Sequence, residues 1–167
     1  LTVNDSGTTT FGGIVGGTTA LTSVTTNAPG TTAINGTAIT TTGAQTYNDA
    51  VTLAADDVLT GVNVTFASTV NGAKNLTVND SGTTTFSAVV GGTTALTSVT
   101  TDAAGATQLN GGVITTTAAQ TYNDAVTLGV DTTLNGVNVT LASTVNGAKN
   151  LTVNDSGTTT FGGIVGG

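Results

Sequence analysis

Aspartate is the residue type through which this chain could do acid–base or metal chemistry. All nine acidic residues are Asp, and the chain contains no His, Cys, Glu or Arg. A Cys nucleophile, an imidazole base and an ordinary zinc site are therefore excluded. What remains is the chemistry of polysaccharide-cleaving enzymes, which place two or three carboxylates at defined separations.

The spacing of the aspartates argues against such a site. Asp5, Asp80 and Asp155 occupy one position of a 75-residue repeat, and Asp49 and Asp124 occupy another. Copies that lie three coils apart in a stacked fold are separated by about 14 Å. Because that distance is too long for two carboxylates to act together, these residues are not expected to form a catalytic pair.

The one adjacent pair of carboxylates is Asp56-Asp57. The second copy of the repeat has Asp131-Thr132 at the same place, so the pair is not a feature of the repeat. Asp is favoured in turns because its side chain bonds to nearby backbone groups. We therefore predict that the aspartates are turn and corner residues on a solvated surface, and that the chain is not an enzyme and has no catalytic residue.

Calcium is a second chemistry open to these residues, because carboxylate, amide and carbonyl oxygens are its preferred ligands. Asn79-Asp80-Ser81-Gly82 and Asn48-Asp49 could contribute to weak sites. Neither the EF-hand spacing nor the GGxGxD nonapeptide of calcium-binding β-rolls is present. The sequence favours structural turns, predicts no cofactor and no metal site, and leaves weak structural calcium as an alternative.

Threonine runs could form an ice-binding ladder. Thr83-Thr84-Thr85 and Thr115-Thr116-Thr117 have suitable side chains, but a flat site needs the same short motif on every coil of one face. The Thr-poor segment 62–66 weakens that interpretation, and ice binding stays an alternative. The only two cations, Lys74 and Lys149, each precede Asn and are predicted to be solvated turn residues rather than isopeptide crosslinks.

Glycosylation is a further alternative, because Asn-x-Ser/Thr triplets are numerous. The abundance of Asn and Thr (43 of 167 residues are Thr) explains many of these matches by chance. The triplets begin at Asn4, Asn35, Asn63, Asn75, Asn79, Asn138, Asn150 and Asn154.

Internal repeats indicate how these residues are positioned. Residues 1–75 and 76–150 match without a gap at 58 of 75 positions, and 151–167 reproduce 1–17 letter for letter. We therefore predict a first solenoid repeat at 1–75, a second at 76–150 and the start of a third at 151–167, all in one continuous rod. The start at Leu1, without an initiator Met, predicts a piece of a longer protein.

A shorter period lies inside the 75-residue unit. Gly-Thr-Thr-x before a large apolar residue, or a shortened form of it, recurs with sequence spacings of 23, 25, 27, 23, 25 and 27. The apolar residues are Phe11, Ile34, Leu59, Phe86, Leu109, Leu134 and Phe161. Such a period, with short strands and Gly or Asn turns, is typical of a β-solenoid. We predict an all-β parallel β-helix with about 25 residues per coil and three coils per repeat.

Strand signals support that fold. Leu76-Thr77-Val78, Val51-Thr52-Leu53 and residues 62–66 alternate apolar and polar side chains. We expect the aliphatic residues, Phe and some Thr to point inwards, and Thr such as Thr52 and Thr77 to form outward ladders. The corners are predicted at the Asn-Gly pairs, which tolerate positive φ. These pairs are Asn35-Gly36, Asn71-Gly72, Asn110-Gly111, Asn135-Gly136 and Asn146-Gly147.

Composition narrows the possible partners. The net charge is −7 with no Arg, so nucleic acid is not an expected partner. No run of about 18 apolar residues exists, so membrane insertion is not expected either. The 37% of hydrophobic residues, many of them β-branched, and the single Pro argue against disorder.

Runs such as Thr121-Tyr122-Asn123-Asp124-Ala125 and Leu76-Thr77-Val78-Asn79-Asp80-Ser81-Gly82 resemble the repeats of large bacterial surface exoproteins. These are the filamentous haemagglutinin-like, or β-strand repeat, adhesins, and the resemblance covers essentially the whole chain. It implies a right-handed parallel β-helix on a bacterial cell surface, with a role in adhesion, aggregation or biofilm matrix.

The sequence and the resemblance together predict a non-enzymatic extracellular shaft. Its expected partners are further copies of itself, through end-to-end stacking or continuation of the chain, and host or abiotic surfaces or glycans. The alternative is a solenoid that binds ice, glycan or calcium through Thr and Asn ladders.

Overall fold

A computed structural model describes residues 1–167 and contains 22 β-strands and no helix. The strands are β1 Thr2–Val3, β2 Thr8–Phe11, β3 Val24–Thr26, β4 Thr31–Ile34, β5 Ala38–Thr40, β6 Gln45–Tyr47, β7 Ala50–Leu53, β8 Asp57–Gly61, β9 Val64–Phe66, β10 Val70–Asn71, β11 Asn75–Asp80, β12 Thr83–Phe86, β13 Ser98–Thr101, β14 Ala106–Leu109, β15 Val113–Thr115, β16 Gln120–Tyr122, β17 Ala125–Leu128, β18 Thr132–Gly136, β19 Val139–Leu141, β20 Val145–Asn146, β21 Leu151–Asp155 and β22 Thr160–Phe161. Every pairing between strands is parallel.

The strands build three faces, which we call A, B and C. Face A is the sheet β1-β3-β6-β9-β12-β14-β17-β20, and face C is the sheet β5-β8-β11-β13-β16-β19-β22. Face B consists of β2-β4-β7-β10 and β15-β18-β21, joined by isolated bridges from Val90 to Val70 and Ile114. The chain visits A, B and C in turn and then repeats the order, so it is a parallel β-solenoid of about eight turns, as the sequence predicts.

The coil is shorter than predicted. The sequence separation of paired residues on adjacent coils runs from 19, between Thr46 and Thr65, to 24, between Val90 and Ile114. The predicted coil length of about 25 is therefore too long, and residues 1–75 and 76–150 each hold more than three coils. From β1 to β11, which begins the second copy of the same sequence, the chain crosses eleven faces, or three and two-thirds turns.

The sequence spacings of 23, 25 and 27 overestimate the coil length because the repeated motif does not stay on one face. Phe11 pairs with Ile34, so the step of 23 is a true coil. Ile34 then pairs with Leu53, whereas Leu59 lies one face further on and pairs with Ile39. The step of 25 is thus one coil, from Ile34 to Leu53, plus one side of the triangle.

Because eleven is not a multiple of three, successive repeats are rotated by one face. Gln45–Tyr47 lies on face A, and its identical copy Gln120–Tyr122 lies on face C. Likewise Thr8–Phe11 lies on face B and its copy Thr83–Phe86 on face A. At a strand spacing of about 4.8 Å, each repeat advances about 18 Å along the axis.

The interior follows from alternation within these short strands. Each strand sends every second side chain inwards, and 26 buried apolar residues form one continuous cluster. One column holds Tyr47, Phe66 and Phe86, whose rings are stacked with centroids 5.4 and 5.2 Å apart. Buried Thr such as Thr32 and Thr107 confirm that some Thr points inwards. Full burial of one large apolar side chain is worth about 1.5–3 kcal/mol, so stacking of coils is the main stabilising contact.

The outward and inward directions of the predicted strands are largely confirmed. Leu76 and Val78 are buried on either side of half-buried Thr77, and Thr52 is exposed. In segment 62–66, however, the strand begins at Val64, because Asn63 forms a corner with a φ of 64°.

The Asn-Gly pairs do not all mark corners. Gly72 and Gly147 have positive φ (128° and 120°), and Gly36 is required by close approach of the coil below, since an added Cβ would overlap the Gly13 carbonyl oxygen. Asn135-Gly136, in contrast, lies inside β18. The Asn residues with positive φ are Asn63 and Asn138, which do not precede Gly.

Candidate functional sites

The carboxylate of Asp80 fastens one corner of the solenoid. Its Oδ1 accepts hydrogen bonds from the backbone N–H groups of Asn63 (2.7 Å) and Gly82 (2.8 Å). Its Oδ2 accepts bonds from the Val64 N–H (2.8 Å) and the Thr84 hydroxyl (3.1 Å). In return, the Asn63 side-chain oxygen accepts a bond from the Thr83 N–H. Two consecutive coils are therefore bonded to each other in both directions at this corner.

The same corner recurs in the next repeat on another face. Asp155 accepts bonds from the N–H groups of Asn138 (2.8 Å), Val139 (3.1 Å) and Gly157 (2.7 Å), and from the Thr159 hydroxyl (2.9 Å). Partial burial opposes ionisation of this carboxyl, but those four donors outweigh it and lower the pKa of Asp155.

Asp5 has the same sequence around it but a single partner. Its Oδ1 accepts a hydrogen bond from the Gly7 N–H (2.9 Å). Asp80 receives its additional donors from Asn63 and Val64 of the coil below, whereas Asp5 lies in the first coil that the structure describes. The three aspartates are corner residues, as predicted, but the prediction of a solvated surface is wrong for Asp80, which is buried.

Asp49 and Asp124 lie inside the solenoid, so the prediction of solvated turn residues is wrong for both. Asp124 accepts hydrogen bonds from the hydroxyls of Thr101 (2.7 Å) and Thr107 (2.8 Å). Burial raises the pKa of Asp124, an effect that the two hydroxyls oppose and the charge of Asp102 reinforces. Side-chain carboxylates buried this way bind neighbouring coils to each other instead of facing a ligand.

The first repeat makes this contact less completely. Asp49 accepts a bond from the Thr32 hydroxyl (3.1 Å), but its Oδ1 and the Thr26 hydroxyl oxygen are both buried without partners. These two atoms correspond to the bonded pair of Thr101 and Asp124 in the second repeat.

The adjacent residues Asp56 and Asp57 point to opposite sides of the chain. Asp56 is exposed and accepts a hydrogen bond from the Asn75 N–H (2.9 Å), which lowers its pKa together with the Asn75 side chain and the charge of Lys74. Asp131 likewise accepts hydrogen bonds from the backbone N–H and the side-chain amide of Asn150. These bonds lower the pKa of Asp131, and the charge of Lys149 adds to the effect. Asp57 is 1% exposed, and neither of its carboxylate oxygens has a hydrogen-bond partner.

Burial is the main reason that the pKa of Asp57 rises to about 7, and the neighbouring charge of Asp56 adds to the effect. Thr132 takes the equivalent place in the second repeat and donates its hydroxyl to the Val130 carbonyl (2.9 Å). The sequence reading of Asp57 as a solvated turn residue is therefore wrong, because the register of β8 directs its side chain inwards.

The carboxylates are dispersed over the corners and the interior of the solenoid. No group of three or more Asp side chains could hold a metal ion together. In the proposed calcium segments, the Asp80 oxygens are occupied by four donors and Asp49 is buried against Thr32. Asp5, Asp80 and Asp155, although equivalent in sequence, lie at three different corners of the triangle.

Two buried polar networks were missed by sequence reasoning. The Gln45 amide donates to the carbonyls of Ile39 and Thr60 and to the Thr41 hydroxyl, and the Tyr47 hydroxyl donates to the Gln45 side-chain oxygen (2.7 Å). Gln120 and Tyr122 repeat the contact one repeat later, with the carbonyls of Ile114 and Asn135. The alternation Gln-Thr-Tyr, with Thr outwards, was the signal available.

The outer surface carries single-file threonine columns. On face A five Thr stack in register, and on face C another five do. These columns are Thr2–Thr25–Thr46–Thr65–Thr85 and Thr77–Thr100–Thr121–Thr140–Thr160. The predicted Thr-rich runs contribute less, because Thr84 and Thr116, the middle residues of each run, are buried.

The remaining predicted sites lie on the surface. Lys149 is exposed and Lys74 half-buried. All eight Asn of the glycosylation triplets are at least partly exposed, although the side-chain oxygens of Asn63 and Asn138 bond to the backbone of the next coil.

No family model matches this chain, and neither a curated protein nor a solved structure is significantly similar to it. None of its elements is a helix long and apolar enough to cross a bilayer.

Proposed function

We propose that this chain is a segment of a β-solenoid shaft in an extracellular bacterial surface fibre, with a mechanical and multivalent role in adhesion, aggregation or biofilm matrix. One observation carries the proposal: each repeat advances by three and two-thirds turns, so the same surface is presented again on the next face. Such a rod extends reach and offers identical weak contacts in several directions, whose combined avidity exceeds that of one contact.

The chemistry of the side chains supports a structural role. The carboxylates of Asp80, Asp124 and Asp155 bond neighbouring coils, and none of them faces a cleft with a second carboxylate. The surface carries a net charge of −7 without Arg, which favours solubility and discourages side-by-side association of rods. Its partners are further copies of the repeat along the axis and host, abiotic or glycan surfaces.

The test compares chains of two, four and six repeats. Electron microscopy should show rods that lengthen by about 18 Å per repeat. Binding to glass, polystyrene and glycan-coated beads should rise more steeply than the number of repeats, because linked contacts act together. If binding depends only on the total concentration of repeats, whether linked or not, the adhesive role is contradicted. The rod-like shaft would then stand as a structural proposal alone.

Ice binding is the second candidate, and the threonine columns on faces A and C favour it. Thermal hysteresis of the 167-residue chain, lost on replacement of Thr100 and Thr121 by Lys, would establish it. Absence of hysteresis in the unaltered chain would exclude it. The Thr100 and Thr121 pair is suited to this test because both side chains lie on the outward column of face C.

A further inference from the structure

The side chain of Asp57 is the one carboxyl in the structure that is enclosed without any hydrogen-bond donor on either oxygen. It stands at the first position of β8, opposite Leu76 of the coil above. Its exposed fraction is 1%, and Leu76 is fully buried. A neutral carboxyl tolerates such surroundings far better than an ionised one, because an unpaired charge loses its hydration without compensation.

The charged and titratable neighbours of Asp57 do not relieve this situation. Asp56, the residue before it, adds a second negative charge, and the charge of Lys74 acts on Asp56. On β6, the nearest titratable group to Asp57 is Tyr47, a neutral phenol whose hydroxyl donates to Gln45 and not to Asp57. β11 carries Asp80 at the far end of β8, beside Gly61, and β5 has no ionisable side chain.

The second repeat provides a natural comparison. Thr132 stands at the position of Asp57, is equally buried, and satisfies its hydroxyl with the Val130 carbonyl. The fold therefore accepts a neutral polar side chain at this position, and only the first repeat places an ionisable one there.

We propose that Asp57 makes the first repeat a proton-dependent joint of the rod, in which the pairing of β8 with β11, between two adjacent coils, is closed when the carboxyl is neutral and opens locally when it is ionised. The second repeat lacks this response. In a shaft, such a joint would loosen one contact between coils in each repeat that carries Asp at this position, without loss of the rest of the ladder.

The direction of the pH effect follows from proton linkage. An unfolded Asp titrates near pH 3.9, whereas the pKa of Asp57 in the folded chain is about 7. Between these values the closed β8–β11 pairing holds a proton that the open state releases, so closure weakens as pH rises. The opening constant should increase by up to about tenfold per pH unit from about pH 4 to 7, and then level off.

The experiment is amide hydrogen exchange of the full chain from pH 4 to 9, corrected for intrinsic exchange. Amides of β8 and β11 should lose protection up to about 1000-fold across this range. Asp57→Asn, and Asp57→Thr, which copies the second repeat, should abolish this dependence while the chain stays folded. Thr132→Asp should transfer it to β18 and β21.

A second readout is independent of stability. In a chain with ¹³C-labelled Asp carboxyls, one resonance should titrate near pH 7 and be missing in Asp57→Asn. Unchanged pH dependence of β8 and β11 exchange in both Asp57 variants, or titration of every carboxyl below pH 5, would overturn the proposal.

Discussion

The first and second repeats hold nearly the same sequence on different faces, and they differ most in how well their interior polar groups are satisfied. Thr101 and Asp124 are bonded at 2.7 Å, whereas the equivalent atoms of Thr26 and Asp49 have no partner. Thr132 is satisfied, whereas Asp57 at the equivalent position is not. The first repeat instead has the longer aromatic stack, through Phe66.

Other contacts survive the change of face unaltered. Gln45 with Tyr47 on face A, and Gln120 with Tyr122 on face C, make the same side-chain hydrogen bond. Local structure is therefore encoded in units of one side and one corner, and the same unit forms on different faces. Differences between repeats then arise from single substitutions and from which coil lies next to each unit.

The largest expected effect comes from removal of the corner carboxylate. Asp80→Ala leaves three backbone donors and one hydroxyl without their acceptor, so the free energy of unfolding should fall by about 3 kcal/mol or more. Asp5→Ala, the matched control, removes one exposed bond and should cost less than about 1 kcal/mol. Urea denaturation followed by circular dichroism measures both. Equal losses would show that the coil below contributes nothing to this corner.

An intermediate effect is expected at the buried threonines. Thr101→Val removes a bond to the Asp124 carboxylate and should lower the free energy of unfolding by about 1.5–3 kcal/mol. Thr26→Val removes a hydroxyl that has no partner, so it should be neutral or slightly stabilising. Urea denaturation of the two variants gives the order of their losses in the free energy of unfolding. A greater loss for Thr26→Val than for Thr101→Val would show that the first repeat, and not the second, makes the stronger Thr–Asp contact.

The smallest effect concerns the aromatic column. Phe66→Leu gives the first repeat the residue of the second and removes two stacked contacts, so a loss of about 1–2 kcal/mol is expected. Leu141→Phe makes the converse change between Tyr122 and Phe161 and should stabilise the chain by up to about 1 kcal/mol. Thermal melting of the two variants measures both changes. A higher melting temperature for Phe66→Leu would contradict a stabilising role of the aromatic stack.

Much of the fold could be predicted from the sequence, because short alternating strands and turn residues leave few other architectures. Leu76-Thr77-Val78 shows its inward and outward sides directly. The coil length could not be obtained from the landmarks, since the motif before Ile34 and Leu59 marks a corner on whichever face it falls.

The interior carboxyl and amides could not be predicted for a related reason. Asp56-Asp57 has the composition of a turn, and only the register of β8 places the second residue inside. Gln45 alternates with Thr46 and Tyr47 as a strand should, but an inward Gln requires acceptors, and one of them, the Thr60 carbonyl, comes from the next coil. The alternation indicates that the Gln side chain points inwards, but an acceptor on another coil leaves no local signal.

Disulfide mapping tests the shorter, three-faced coil most directly, and it is straightforward because the chain has no Cys. Thr46 and Thr65 pair on face A, and strands about 4.8 Å apart meet the Cα separation that a disulfide needs. Thr52 and Thr77 are separated by the predicted coil length of 25 but lie on faces B and C. We expect Thr46→Cys with Thr65→Cys to form an intramolecular disulfide under mild oxidation, and Thr52→Cys with Thr77→Cys to form none. The opposite pattern would contradict the shorter three-faced coil and restore a coil length of 25.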